Sequence, residues 1–254
     1  MSIDISRHSF TARVTLWFGV KMRKLFVFFH VGDDVAIPTM LVDSIRWSNP
    51  DARVIFCTDL ETPEILGVDQ RVEVVGDRSE LMTYRLKAFA SCGLDEPAMY
   101  LDTDMLVIKP FNPAMLLGDS KIAMCRRSFN IQTPFNGRFR NLDFREYDRQ
   151  PMGVVYPYLA CCTVTRDAKV WGELLEILSG LDRKFHLWYG DQEALKIFAR
   201  DVAYGRRSEL SFLPESVFGC LPEEGDFVPN AAIIHFKGAR KSAIASAHKQ
   251  LLRR

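Results

Sequence analysis

The chain lacks most of the features that place a sequence quickly. It has no C-x-x-C pair, which removes zinc knuckles and thioredoxin-type redox motifs. No apolar stretch approaches the roughly 20 residues that span a bilayer; the longest early run, Leu25 to Phe29, is a strand-sized pentamer. Charge of one sign is missing too: 33 Lys and Arg stand against 32 Asp and Glu in 254 residues, a net of +1. That excludes the domain-wide basic field of a nucleic-acid binder, so no nucleic-acid partner is expected. There is no internal repeat and no low-complexity linker. Apolar residues at 48% and charged residues at 26% exclude a disordered chain, a collagen and a coiled coil.

Six cysteines are present: Cys57, Cys92, Cys125, Cys161, Cys162 and Cys220. Four of them sit in apolar runs, where a free thiol behaves as a small hydrophobe. A chain of this length builds a core without staples, so a reduced, cytoplasmic protein is expected. Residues 1–21 carry Arg7, Arg13 and Lys21 and an apolar patch from Val14 to Val20 broken by Thr15. The patch is short for a signal core and no small-residue cleavage site follows. Residues 1–21 therefore read as an extension, with Met22 a second possible start. Residues 22–254 read as one domain.

Leu25–His30 is apolar on both faces, which suits a buried parallel strand. Val35–Trp47 shows helical spacing and stops at Asn49-Pro50. Further strands are expected at Val54–Cys57, Arg71–Val75, Ala98–Leu101, Leu106–Ile108, Tyr158–Thr165 and Ala231–Ile234. Helices are expected at Glu80–Cys92, at Ala168–Leu178 with Asp167 as N-cap, and from Gly190 to about Arg200. This alternation predicts an α/β fold with a mostly parallel sheet covered on both faces. Arg126–Pro151, rich in Arg, Asn and aromatics, lacks periodicity and reads as a long loop.

Three constellations could carry chemistry. Tyr100-Leu101-Asp102-Thr103-Asp104 follows an apolar strand. At the carboxyl end of a strand, where open α/β sheets bind ligands, residues i and i+2 share a side. Two hard oxygen donors there suit Mg²⁺ or Mn²⁺; the alternative is a polar turn whose Asp side chains cap backbone amides. Ile233–Lys241 ends a strand in His235, then offers Lys237, Gly238 and Lys241. His235 is a metal ligand, or a satisfied histidine beside a solvated basic tail. Trp188–Leu195 places Asp191 and Gln192 at a helix start, where they either hold sugar hydroxyls or stabilise the helix dipole.

Taken together, these blocks resemble the retaining glycosyltransferases of family eight, the group of glycogenin and the bacterial lipooligosaccharide galactosyltransferases. The likeness spans about residues 24–241. It rests on Thr83-Tyr84-Arg85-Leu86, Tyr100-Leu101-Asp102-Thr103-Asp104, Asp191-Gln192-Glu193-Ala194-Leu195 and His235-Phe236-Lys237-Gly238. The resemblance implies a GT-A fold and a nucleotide-sugar donor, with UDP the expected nucleotide. It implies Mn²⁺ (or Mg²⁺) held by Asp102, Asp104 and His235. By the same resemblance the donor is bound by Val31, Gly32 and Asp33 of the Val31–Asp34 turn, by Arg85, Asp102 and Thr103, and by Lys237, Gly238 and Lys241. The resemblance also implies that Asp191 and Gln192 stand at the reacting centre. The acceptor would be a glycan, a lipid-linked saccharide or a protein.

The chain departs from that pattern at Tyr158–Cys162, which has neither the Asn nor the Gly of the family's corresponding strand, and at Lys241-Ser242-Ala243. Two other readings stand beside it: a sugar nucleotidyltransferase, and a non-catalytic GT-A scaffold. The His30–Asp34 loop, with one glycine and two acids, is poor for cradling a triphosphate. Arg126–Pro151 is either an acceptor-facing lid, with aromatics on sugar and Arg on anionic groups, or a solvated loop. The basic C-terminal tail, with Ile244, Ala247, Leu251 and Leu252 at helical spacing, is either a solvated helix or a contact with an anionic membrane face.

Overall fold

The computed structural model describes residues 23–203, 210–224 and 230–253; the expectation for residues 1–21 lies outside them. The strands are β1 (Leu25–Phe29), β2 (Arg53–Thr58), β3 (Gln70–Glu73), β4 (Ala98–Leu101), β5 (Met105–Val107), β6 (Ile122–Arg126), β7 (Arg138–Phe139), β8 (Leu142–Asp143), β9 (Tyr158–Thr165), β10 (Leu210–Pro214) and β11 (Ile233–His235). The helices are α1 (Ala36–Ser48), α2 (Leu81–Ala90), α3 (Pro113–Leu117), α4 (Met152–Val155), α5 (Lys169–Ser179), α6 (Arg183–Leu187), α7 (Gly190–Ala203), α8 (Glu215–Phe218) and α9 (Ile244–Leu251).

A seven-stranded sheet runs in the order β10-β6-β9-β4-β1-β2-β3. Strands β4, β1, β2 and β3 are parallel, as are β6 and β10. Strand β9 lies antiparallel between β4 and β6, so the sheet is mixed at that point. Strand β1 sits near the centre, and its pleat explains its unbroken apolar run. Leu25, Val27 and Phe29 join the core under α2, α5 and α7, while Phe26 and Phe28 join the core under α1 and α3. The first core is built around an aromatic trio, with Phe89, Tyr100 and Trp171 rings 4.7–4.9 Å apart. Full burial of one such side chain contributes about 1.5–3 kcal/mol. Helices therefore cover both faces, as the alternation predicts.

Several local expectations shift. α5 begins one residue later than expected, with Ala168 rather than Asp167 as its N-cap; Asp167, one position earlier, accepts the Lys169 amide on Oδ1 at 2.9 Å. Leu106–Ile108 does not enter the main sheet: β5 pairs antiparallel with β11 in a small separate sheet. Strand β10 is not announced by the sequence pattern. Arg126–Pro151 is not a structureless loop, because it holds the β7–β8 hairpin and a 3₁₀ turn at Arg145–Tyr147. Phe135 and Phe144 anchor it, both buried, and Phe135 packs edge-on or tilted against Phe144, Tyr147, Tyr156 and Tyr189 at 5.5–6.2 Å. The apolar stripe of α9 turns inward, where Ile244 and Ala247 pack with Ile37 and Met40 of α1.

Candidate active site

The two aspartates do not continue a strand. β4 ends at Leu101, and Asp102–Asp104 form a tight turn into β5. The Asp102 amide still donates to Cys161 O at 2.9 Å, and the Phe236 amide to Asp104 O at 2.8 Å. The antiparallel register does the rest. It sets Ile233 against Val107, Ile234 against Leu106 and His235 against Met105, which delivers the imidazole beside Asp104. His235 Nε2 lies 3.3 Å from Asp104 Oδ1 and 3.9 Å from Asp102 Oδ2. One ligand atom from each of the three falls within 4.8 Å of the others. Two carboxylates and an imidazole suit a divalent cation of the Mn²⁺ or Mg²⁺ kind, so the donor set fits the implied metal.

The electrostatics agree with a buried ionic centre. Burial opposes ionisation of Asp104, but His235 and Lys241 outweigh it and hold the carboxyl well below the usual range. Burial likewise opposes the His235 cation. The Cys161 sulfur and the Asp104 carboxylate prevail and lift its pKa to about 10. Cys161 is itself pushed well above the ordinary thiol range by its contact with Cys125 and by burial. A neutral thiol carries no charge, so Asp104 is the group that favours the imidazolium. A cation bound by this trio would replace that proton as the counter-charge.

Arg85 of α2 reaches across the floor of the site. Its Nη2 is 2.6 Å from Asp102 Oδ1 and donates to Ala160 O at 3.0 Å, while Nη1 is 3.0 Å from Asp191 Oδ2. Burial pushes Asp191 above the usual carboxylate range, with Arg85 opposing. Asp191 also accepts the Gln192 amide at 2.7 Å, and Gln192 Oε1 faces Arg127 Nη2 at 3.4 Å. Lys241 Nζ lies 3.1 Å from Asp104 Oδ2. Lys237 Nζ lies 3.0 Å from Glu215 Oε1.

These groups surround one open cleft of about 1160 Å³. Val31, Arg85, Asp102, Thr103, Asp104, Asp191 and Gln192 line it, and so do His235, Lys237, Gly238 and Lys241. Gly32 and Asp33 are not among its lining residues. The Gly32 amide donates to Thr62 Oγ1 at 2.9 Å, and Asp33 is exposed.

Glu215 is a residue the sequence reading missed. Fully buried at 0% exposure, it accepts the Ser128 and Phe129 amides at 2.6 and 2.7 Å and holds Lys237. Its signal was present but faint: an acid directly after Pro214, at the end of a short apolar segment. Trp188 and Cys161 also line the cleft without having been assigned a role there.

The chain has the GT-A fold. The chain shares it with the galactosyltransferase LgtC solved with donor and acceptor sugar analogues, at 15% identity and TM-score 0.53 over 89% of this chain and 95% of that one. It is also similar to the glycosyltransferase GlyE of Streptococcus pneumoniae TIGR4, at 13% identity and TM-score 0.52 over 91% of this chain. It spans 62% of the length of GlyE. A third likeness is to a glycosyltransferase involved in glycosylation of the major capsid of PBCV-1, at 11% identity and TM-score 0.53 over 91% of this chain and 99% of that one. No protein-family profile and no curated sequence matches the chain.

Proposed function

We propose that the protein is a metal-dependent glycosyltransferase that moves a hexose from a nucleotide diphosphosugar, UDP by preference, to a saccharide-bearing acceptor. The observation that carries this reading is the meeting of Asp102, Asp104 and His235 at the carboxyl end of β4, inside a cleft large enough for a nucleotide sugar, on a glycosyltransferase fold. Asp102, Asp104 and His235 would hold Mn²⁺ (or Mg²⁺). The metal, when bound, supplies Lewis-acid stabilisation of charge on the leaving diphosphate.

The chain's own groups do the remainder. Lys241, half exposed at 52%, is free to exchange Asp104 for a phosphate oxygen. Glu215 keeps Lys237 fixed at the same wall. The Gly238 backbone sits at φ +66°, a conformation glycine adopts at no steric cost beside an approaching ligand. Val31, with Gly32 and Asp33 behind it, would face the nucleoside, and Thr103 the donor between the two acids. Breaking the anomeric bond leaves positive charge on the sugar. Asp191 and Gln192 would face that charge, with Arg85 holding Asp191 and Asp102 in register. Transfer would proceed with retention. The acceptor is a glycan, a lipid-linked saccharide or a protein.

Of the described residues, no helix is long and apolar enough to cross a membrane. A cytoplasmic setting belongs to this proposal. So does contact with an anionic membrane face, which would rest on the exposed Lys249 and Arg253 because the apolar stripe of α9 is packed inward.

The test has two stages. Thermal unfolding is followed with UDP- and GDP-sugars, with and without Mn²⁺. Ligand at a hundredfold over Kd stabilises by about 2.7 kcal/mol, and the stabilisation should require Mn²⁺. Release of free nucleotide is then assayed in the wild type and in Asp104→Ala. Loss of release with an unchanged circular dichroism spectrum supports the assignment; unchanged turnover in Asp104→Ala sinks it. Metal-dependent binding without any nucleotide release would leave a binding scaffold instead.

A further inference from the structure

The charges of the cleft divide into two groups. On the metal side each base has an acid: Arg85 has Asp102 and Asp191, Lys241 has Asp104, Lys237 has Glu215, and Arg240 has Glu223. In the segment after β6, Arg127 and Arg140 also line the cleft. Among the described residues, neither forms an ion pair with a carboxylate. Arg127 donates to Tyr156 O at 2.8 Å and to Gln192. Arg140 stacks on an indole instead, with its Cζ 3.9 Å from the Trp188 ring centre and 5.7 Å from that of Phe139.

Arg140 is held there at a cost. It and Asn141 form the two-residue turn of the β7–β8 hairpin, with φ of +52° and +62°. Such turns favour Asn-Gly, since both central residues need positive φ. An arginine in that position is strained, and strain of this kind persists where the surroundings over-determine it. The Trp188 that receives its guanidinium immediately precedes Tyr189, also at positive φ (+63°), and α7 with Asp191 and Gln192 begins just after. A guanidinium held over an aromatic ring is pre-organised by it and keeps its N–H donors for a further partner. Its planar fork of donors matches carboxylate and phosphate oxygens.

We propose that Phe139, Arg140 and Trp188 form the acceptor subsite, and that it selects a pyranoside carrying an anionic group, a carboxylate or a phosphate. The reading rests on the glycosyltransferase assignment only for the word acceptor. The aromatic pair, with centroids 5.8 Å apart, offers apolar surface to the C–H face of the ring. Arg140 takes the oxyanion. Arg127, which donates to Gln192, adds a second guanidinium in the cleft with no carboxylate partner among the described residues. The other bases of the cleft are paired with acids, so an anionic group that reaches this rim meets guanidinium charge that no carboxylate has taken.

The test reads binding and needs no turnover. Protein labelled at the Trp indole nitrogens and saturated with Mg²⁺ and UDP is titrated with methyl β-glucuronoside, methyl glucoside 6-phosphate and uncharged methyl β-glucoside. The Trp188 indole resonance, assigned with Trp188→Phe, is followed. At least one anionic glycoside should bind at least tenfold more tightly than the neutral one. Arg140→Gln should reduce that ratio to about one, and Arg140→Lys should restore part of it for the phosphate. A preference for the glucuronoside alone, or for the phosphate alone, tells which anion the acceptor carries. Equal affinity for all three in the wild type, no perturbation of Trp188 by any of them, or a preference that survives in Arg140→Gln overturns the proposal. Because nucleotide release is measured separately, failure of the transferase reading and failure of the subsite are distinguishable.

Discussion

Two single residues show how far the site's geometry depends on acids that never touch a substrate. Glu215 is buried with three donors on it: the Ser128 and Phe129 amides and Lys237. Glu215→Ala strands all three, and removing one partner of a buried ion pair typically costs about 3–5 kcal/mol. We expect a loss of that order in urea unfolding, with Glu215→Gln losing less because it still accepts from both amides. Asp59, at the end of β2, accepts from Arg78 Nε and from the Thr62 amide and hydroxyl; Thr62 in turn accepts the Gly32 amide. These bonds, Arg78 first, hold the Asp59 pKa at about 2. That lies below its unfolded value of about 3.9, so its stabilisation is full above about pH 5 and is lost as pH falls through 2. Acid titration of the folded chain should lose part of its cooperative stability in that window, and Asp59→Asn should show a smaller loss there. An identical acid profile in the variant would disprove the link.

At the scale of elements, the sequence was legible where one element alone decides the outcome. β1, β4 and β9 are apolar runs, and the Asp102–Asp104 and His235 positions follow from strand ends. It was not legible where pairing decides. Nothing in Tyr158–Thr165 says that β9 runs antiparallel between two strands that it does not follow in sequence. Strand β10, with Ser211 and Phe212 only half covered, is an edge strand with little apolar alternation. The β7–β8 hairpin hides because its turn is Arg140-Asn141 rather than Asn-Gly.

Helix α7 supplies an element-level prediction. A Cβ on Gly190 would lie 2.1 Å from the Phe185 carbonyl oxygen and 2.6 Å from Leu178 Cδ1. Gly190→Ala must therefore push the start of α7 away from α6, carrying Asp191 off Arg85. Nucleotide release should fall at least tenfold, since an ångström of misplacement at a reacting centre has that effect. The melting temperature should fall as well; a variant with wild-type rates and melting temperature would contradict the close approach.

For the molecule as a whole, the six cysteines are free and buried. Cys57 and Cys92 share a thiol–thiol hydrogen bond at 2.9 Å, with no disulfide between them, and burial lifts the Cys57 thiol far from its reactive form. A thiol-specific chromogenic reagent should find none of the six in the folded chain and all six after denaturation. Rapid labelling of any in native buffer would show that the packing described here opens readily. The near-zero net charge, uninformative as a total, resolves into acids at the β4–β5 turn held by Arg85, His235 and Lys241 and, in the segment after β6, Arg127 and Arg140 with no carboxylate partner among the described residues. That segregation was visible in the sequence as two blocks. Their lining of a single cleft was not, because it depends on how distant strands pair.

The pairing of β5 with β11 also sets a timetable. Asp102 and Asp104 leave the ribosome early, whereas His235, Lys237 and Lys241 emerge more than a hundred residues later and join them only when β11 docks on β5. A chain cut short ahead of β11 can lay down most of the large sheet, yet it has neither the imidazole nor the two lysines. Half-made or clipped copies would therefore lack half of the donor set that the proposed metal and nucleotide sugar need, and would be poor competitors for either.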